Sequence, residues 1–139
     1  MKILVDTCVI IDALQDRRPF SHFAQQIFIE VAKRTVTACI SAKSVTDIYY
    51  LTHRQTHSDS QTREILRKLF SLFEVVDTLG IDCQNAVSSQ MGDYEDAVMS
   101  ETAFRNSVDY IVTRNEKDYS KAKVPVLSPA DFISELANL

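Results

Sequence analysis

Two apolar rhythms run along this chain. Ile3-Leu4-Val5 is apolar on both faces of an extended segment, so Lys2–Asp6 reads as a strand buried in a parallel sheet. A short helix follows through Cys8, Val9, Ile10 and Ile11 to about Leu14, and Arg17-Arg18-Pro19 breaks it. Ser21 is placed to cap a second helix whose apolar face is Phe23, Ile27, Phe28 and Val31. Val36–Ile40 reads as the second strand, and Ser41 then caps a helix from Ala42 to about Arg54, with Val45, Ile48, Tyr49 and Thr52 on one face. The polar stretch Thr56–Ser60 is a surface connection to a helix carrying Ile65, Leu66, Leu69, Phe70 and Phe73. Glu74–Asp77 is a short strand, Ile81 to about Gln90 a helix, and Gly92 separates it from another running Asp93–Arg105. Asp109–Thr113 and Val124–Leu127 are the last strands, and Ser128-Pro129 is a cap and first-turn pair for a closing helix to Leu136.

Strand and helix alternate throughout, which implies a layered α/β fold around a mainly parallel sheet. The 139 residues suit one domain, 1–139, with no repeat, linker or low-complexity tract. Two glycines and three prolines are too few for a loop-rich all-β fold. The three cysteines are odd in number and form no C-x-x-C, which argues against a zinc knuckle or a disulfide framework. Cys8 and Cys39 read as small core residues in a reducing compartment. No apolar run is long enough to span a membrane, and the chain opens directly on a strand, so a cytoplasmic protein is expected. A net charge of −4 disfavours a simple basic nucleic-acid binder. It leaves a nuclease open, because an acidic metal site lowers the total while basic groups cluster locally.

The chemistry points to the carboxyl ends of the strands. Asp6 ends the first strand, Asp47 lies in the helix entered from the second, and Asn115 and Asp118 follow the strand ending at Thr113. In a parallel sheet these exits share one edge. The Asp93–Arg105 helix adds more acid. At about 100° per residue, Asp93 and Asp96 lie about 60° apart and can serve one site, whereas Glu95 is expected to face solvent. Carboxylates gathered at one edge repel one another unless a cation intervenes, and oxygen donors without His or Cys suit Mg²⁺ or Mn²⁺. Lys43, Tyr50 and Arg54 share Asp47's face, where Lys43 and Arg54 are placed to touch a phosphate. Further basic groups stand at Arg17-Arg18, at Arg63, Arg67 and Lys68, and from Arg114 through Lys117 and Lys121 to Lys123, the last near enough to hold a nucleic-acid backbone.

Four segments carry a resemblance: Met1–Thr7 with Asp6, Ser44-Val45-Thr46-Asp47-Ile48-Tyr49, Asp93-Tyr94-Glu95-Asp96-Ala97, and Thr113–Tyr119 with Asn115 and Asp118. In this order they resemble the motifs of PIN domains, and Val124–Pro129 is similar to the end of that family. The resemblance implies a three-layer α/β/α fold. It also implies a divalent-metal-dependent endoribonuclease like the toxins of VapBC toxin–antitoxin pairs, a homodimer, and a small antitoxin whose tail blocks the site. By matching position, Asp6, Asp47 and Asp96 would be the acidic metal-site residues, with Asp93 and Asp118 as further candidates. Many PIN domains carry aspartate where this chain has Asn115, a departure that bears on a second metal.

Plainer readings stand beside these. Asp6, Asp93 and Asp96 also suit helix caps or first-turn acids, Asp47 an ion pair with Lys43, and Asp118 a loop acid. His53 and His57 have a zinc-pair spacing but lack the accompanying glutamate, so a solvent-exposed pair is expected. Tyr49, Phe70, Phe73 and Phe104 read as core. The rival functions are a degenerate PIN domain that binds RNA or a protein without cutting, and an aspartyl phosphotransferase using Asp6. The second usually wants an acid where Cys8 stands.

Overall fold

A computed structural model describes residues 1–139. Strands β1 (Lys2–Val5), β2 (Thr37–Ser41), β3 (Glu74–Val76), β4 (Tyr110–Val112) and β5 (Val126–Leu127) form one sheet in the order β3-β2-β1-β4-β5. Every neighbouring pair is parallel; Ile3 stands opposite Ala38 on one side and Tyr110 on the other. The chain builds outward from β1 through β2 to β3, then returns to place β4 on β1's free side. The strand order therefore reverses between β1 and β4, and the crevice outside that reversal is where such sheets present their working residues.

Alternation along the strands explains the layers. Ile3, Val5, Ala38, Ile40 and Val112 face one core, which also takes Val9 and Ile11 of α1 (Thr7–Leu14), Ile27 of α2 (Ser21–Ala32), Ile48 of α3 (Ala42–Thr56), Leu69 of α4 (Asp59–Leu72) and Phe132 of α7 (Pro129–Ala137). Leu4, Cys39 and Ile111 point the other way, onto Met99 and Ala103 of α6 (Tyr94–Arg105), with Tyr119 and Val124 beside them. The short α5 (Gly80–Ala86) packs on α6 through Ala86. The result is the expected α/β/α stack, and no helix is long and apolar enough to cross a membrane. Both sheet faces are covered, so each fully buried Ile or Val contributes about 1.5–3 kcal/mol.

Several local expectations are corrected. Ser21 does not cap α2: its N–H already bonds to the carbonyl of Arg17, and Phe20 occupies the cap in helical backbone. Phe23 is exposed; Ala24, Ile27 and Val31 form the buried stripe. α4 starts at Asp59, inside the supposed connection, because the Ser58 hydroxyl accepts the N–H of Gln61. α5 ends at Ala86 rather than near Gln90, since Val87 is 73% exposed and no apolar stripe continues beyond it. Phe70 and Phe104 lie at the surface, and of the four aromatics expected in the core only Phe73 is fully buried. A 3₁₀ turn at Glu116–Tyr119 was not expected at all.

Candidate active site

Asp6 sits at the reversal point. Its backbone N–H extends the ladder to the carbonyl of Val112, and its side chain caps α1, with Oδ1 accepting the N–H of Thr7 at 2.8 Å. Oδ2 accepts the hydroxyl of Thr113 at 2.7 Å. The capping alternative is thus realised, yet it uses one oxygen only. The residue is 8% exposed. Burial pushes its pKa up, against the opposing pull of Thr113, the Thr7 N–H, Cys8 and the positive charge of Lys43. Cys8, half-buried, stands 3.7 Å from Asp6 Oδ2, and burial followed by the Asp6 charge pushes its thiol to about 11, which disfavours the nucleophilic thiolate.

Asp6 lies in a cleft of about 450 Å³ at the carboxyl edge of the sheet, together with Asp47 from α3, Glu95 and Asp96 from α6, and Asn115 from the β4 exit. Four remote segments do meet there. Asp96 receives the Tyr119 hydroxyl on Oδ1 at 3.1 Å. Burial, and then the charges of Asp6, Asp93 and Asp118, drive its pKa to about 6 despite the Tyr119 hydrogen bond. Asp47 is exposed on the cleft wall and makes no pair with Lys43. Lys43 reaches across to Glu95 instead, at 3.4 Å. Glu95 is solvent-exposed, as expected, and stands on the cleft rim.

Asp93 and Asp118 do not line the cleft. Asp93 caps α6, its Oδ1 accepting the N–H of Asp96 at 3.0 Å, and Asp118 is exposed on the 3₁₀ turn. On the Asp96 carboxylate itself, both act as neighbouring charges. Arg114 is also withdrawn from the basic group: it holds the buried carboxylate of Asp12 through Nε at 2.7 Å and Nη2 at 3.2 Å, with its guanidinium 4.2 Å above the Phe20 ring. The cleft's basic residues are Arg17, Lys43 and Arg54, with the exposed ring of Tyr50 among them. His53 stacks on Tyr49 and His57 terminates α3 in left-handed backbone, so neither forms part of a zinc pair.

The donors fit a hard divalent cation in a particular way. Asp6 stands near enough to Asp96 for its charge to help raise the Asp96 pKa, in a water-accessible cleft with no imidazole. No three His, Cys, Asp or Glu side chains close around a single point. Such a site matches an ion held by one or two carboxylates that keeps much of its water, the habit of Mg²⁺, rather than a caged structural metal. Thr113, Tyr119, Glu95 and Arg17 belong to this region and were not picked out as site residues from the sequence. Only Thr113 carried a signal, as the polar residue that ends the strand beside β1.

A parallel sheet with acids at its reversal point invites comparison with known folds. The PIN domain family model matches residues 2–117, and the chain belongs to that family. Solved structures of similar fold include DNA-bound VapBC from Salmonella typhimurium, at 15% identity over 93% of this chain and 98% of that one, TM-score 0.69. A toxin–antitoxin complex from Klebsiella pneumoniae is 24% identical over 91% and 97%, TM-score 0.64. FitAcB from Neisseria gonorrhoeae is 19% identical over 92% and 98%, TM-score 0.67. At these identities the likeness is one of fold. No curated protein sequence matches the chain.

Proposed function

We propose that the protein is a divalent-metal-dependent endoribonuclease acting as the toxin of a toxin–antitoxin pair. The carrying observation is that Asp6, Asp47 and Asp96, from three distant segments, share one cleft with Lys43, Arg17 and Arg54 in a PIN-domain fold. PIN domains are generally nucleases, and the similar folds include toxin–antitoxin complexes. Asp6 and Asp96 would hold Mg²⁺ or Mn²⁺ through the oxygens they present to the cleft. When bound, such an ion supplies Lewis acidity, polarising the scissile phosphate and lowering the pKa of the attacking water.

The chain's own groups do the rest. Asp47, solvent-exposed on the cleft wall, orients the attacking water and takes its proton as the new P–O bond forms and the bridging P–O bond breaks. Lys43, Arg17 and Arg54 hold the backbone phosphates, and Tyr50 offers an exposed face on which an unpaired base can stack. Asn115, exposed on the cleft, would offer its side-chain amide to a substrate phosphate. A homodimer and a small antitoxin occluding the cleft complete the reading.

One observation favours a second reading, a PIN domain that binds RNA or a protein without cutting. Asn115 stands on the cleft where the family resemblance expects an aspartate, and Asp118 does not line it. Calorimetry separates the two, since absence of divalent binding at millimolar concentration supports the second. Cleavage of RNA by the purified protein, blocked by chelation and by Asp6→Asn with the fold intact by circular dichroism, supports the first. Unchanged cleavage by Asp6→Asn refutes it.

A further inference from the structure

We propose that Tyr119 is a positioning residue for Asp96, turning that carboxylate so that one oxygen is reserved for the cleft. The inference rests on the metal-site reading of Asp96 given above. Tyr119 is 2% exposed, its ring packed with Leu4, Met99 and Ile111 on the α6 side of the sheet. From that fixed seat its hydroxyl donates to Asp96 Oδ1 at 3.1 Å, and Asp96 Oδ2 takes no hydrogen bond from the chain. An aspartate in an open cleft otherwise turns freely about its last bond and exchanges its two oxygens. A hydroxyl anchored in the core removes that freedom and assigns the oxygens different tasks.

The seat is rigid for two reasons. The 3₁₀ turn bearing Tyr119 closes through the N–H of Asp118 on the carbonyl of Asn115 at 3.0 Å. Beyond it, the N–H of Lys123 bonds to Ser100 Oγ at 2.9 Å, pinning the same connection to α6 one turn past Asp96. The connection thus moves with the helix it orients. It also does the same task twice: Thr113 at its start donates a hydroxyl to Asp6, and Tyr119 donates one to Asp96. A buried tyrosine needs some partner for its hydroxyl, and a structural role alone would be met by any acceptor. Here both hydroxyls from one connection end on the two buried or half-buried carboxylates of the cleft.

The test is Mn²⁺ titration by calorimetry on the full chain, unsubstituted and as Tyr119→Phe, Asp96→Asn and the double variant. Tyr119→Phe keeps the ring in the core, and its Mn²⁺ affinity is expected to fall about 10–100-fold. The metal concentration giving half-maximal RNA cleavage should rise by the same factor, while KM for RNA stays constant. In the Asp96→Asn background the tyrosine substitution should have no further effect. Equal Mn²⁺ affinity in the unsubstituted chain and Tyr119→Phe overturns the assignment and leaves the nuclease reading intact. No Mn²⁺ uptake by the unsubstituted chain overturns both. Should Tyr119→Phe fail to fold, NMR of isotope-labelled tyrosine in the unsubstituted chain decides: the Tyr119 signal must shift on Mg²⁺ addition, and a static signal refutes the coupling.

Discussion

The hydroxyl of Thr113 reaches across 107 positions of sequence to hold Oδ2 of Asp6 at 2.7 Å. The same oxygen of Thr113 accepts the N–H of Asn115 at 3.1 Å, so one buried hydroxyl ties the aspartate that follows β1 to the loop leaving β4. The pair spans the point where the strand order reverses, which is why two central strands, rather than a mobile loop, set the orientation of the cleft's deepest carboxylate.

Replacing Thr113 by valine keeps the volume and removes that donor. Hydrogen bonds to charged groups are worth about 1.5–3 kcal/mol. The variant should lose stability in that range by urea denaturation and bind Mn²⁺ about 10–100-fold more weakly by calorimetry. An unchanged urea midpoint would show that water takes the place of the hydroxyl.

The raised pKa of Asp96 makes a stability prediction with a definite sign. A carboxyl whose folded pKa exceeds its unfolded value stabilises the protein fully at pH below the unfolded value, and that stability is lost as pH rises through the folded one. With an unfolded value near 3.8 and a folded value of about 6, the metal-free protein should lose stability between those limits. Solvent screening reduces the effect to about 1 kcal/mol. Asp96→Asn should flatten this loss and raise the metal-free melting temperature at pH 7, and scanning calorimetry across the window checks it.

Asp82 supplies the opposite case. Burial pushes its pKa up, but hydrogen bonds from Arg105, the Leu79 N–H and Thr102 outweigh burial and hold it below the ordinary value. Stability from a lowered carboxyl is present above the unfolded pKa and lost as pH falls through the folded one. Arg105→Met removes the cation and leaves the buried carboxylate only the Leu79 N–H and the Thr102 hydroxyl, a loss of about 1.5–3 kcal/mol at pH 7. Urea midpoints should show the gap between variant and parent narrowing as pH falls through the lowered pKa of Asp82.

Arg54 lines the cleft without an ion-pair partner in the chain. Arg54→Glu should weaken RNA binding across sequences and flatten the dependence of log affinity on log salt by about 1. Fluorescence anisotropy at several salt concentrations measures this, and an unchanged slope removes Arg54 from the phosphate path.

Much of the site was legible because its acids stand at places the chain marks locally. Asp6 ends an apolar run, Asp47 follows a strand and its cap, and Asp96 opens a helix, so the shared edge follows from parallel pairing alone. Asp93 illustrates the limit. Helical angle arithmetic assumed it lay within α6, but an aspartate three residues before a free N–H caps the helix, which takes it out of the cleft. Glu95 faces solvent as its angle implies, yet its length still lets it reach Lys43 at the cleft rim.

Pattern alone determined that the sheet is parallel and covered on both faces, because an apolar strand with no polar side has nowhere else to go. It also set Asp6 and Asp47 beside strand exits at one edge of that sheet, with Asp96 offered from the first turn of a separate helix. Only the tertiary structure decided the pairings: Thr113 with Asp6, Tyr119 with Asp96, Arg114 with Asp12, and Lys43 with Glu95 rather than Asp47. The reason is one of length scale. Periodicity selects which face a residue occupies, whereas a hydrogen bond requires two atoms about 3 Å apart, and that depends on strand register and helix rotation set by the whole core.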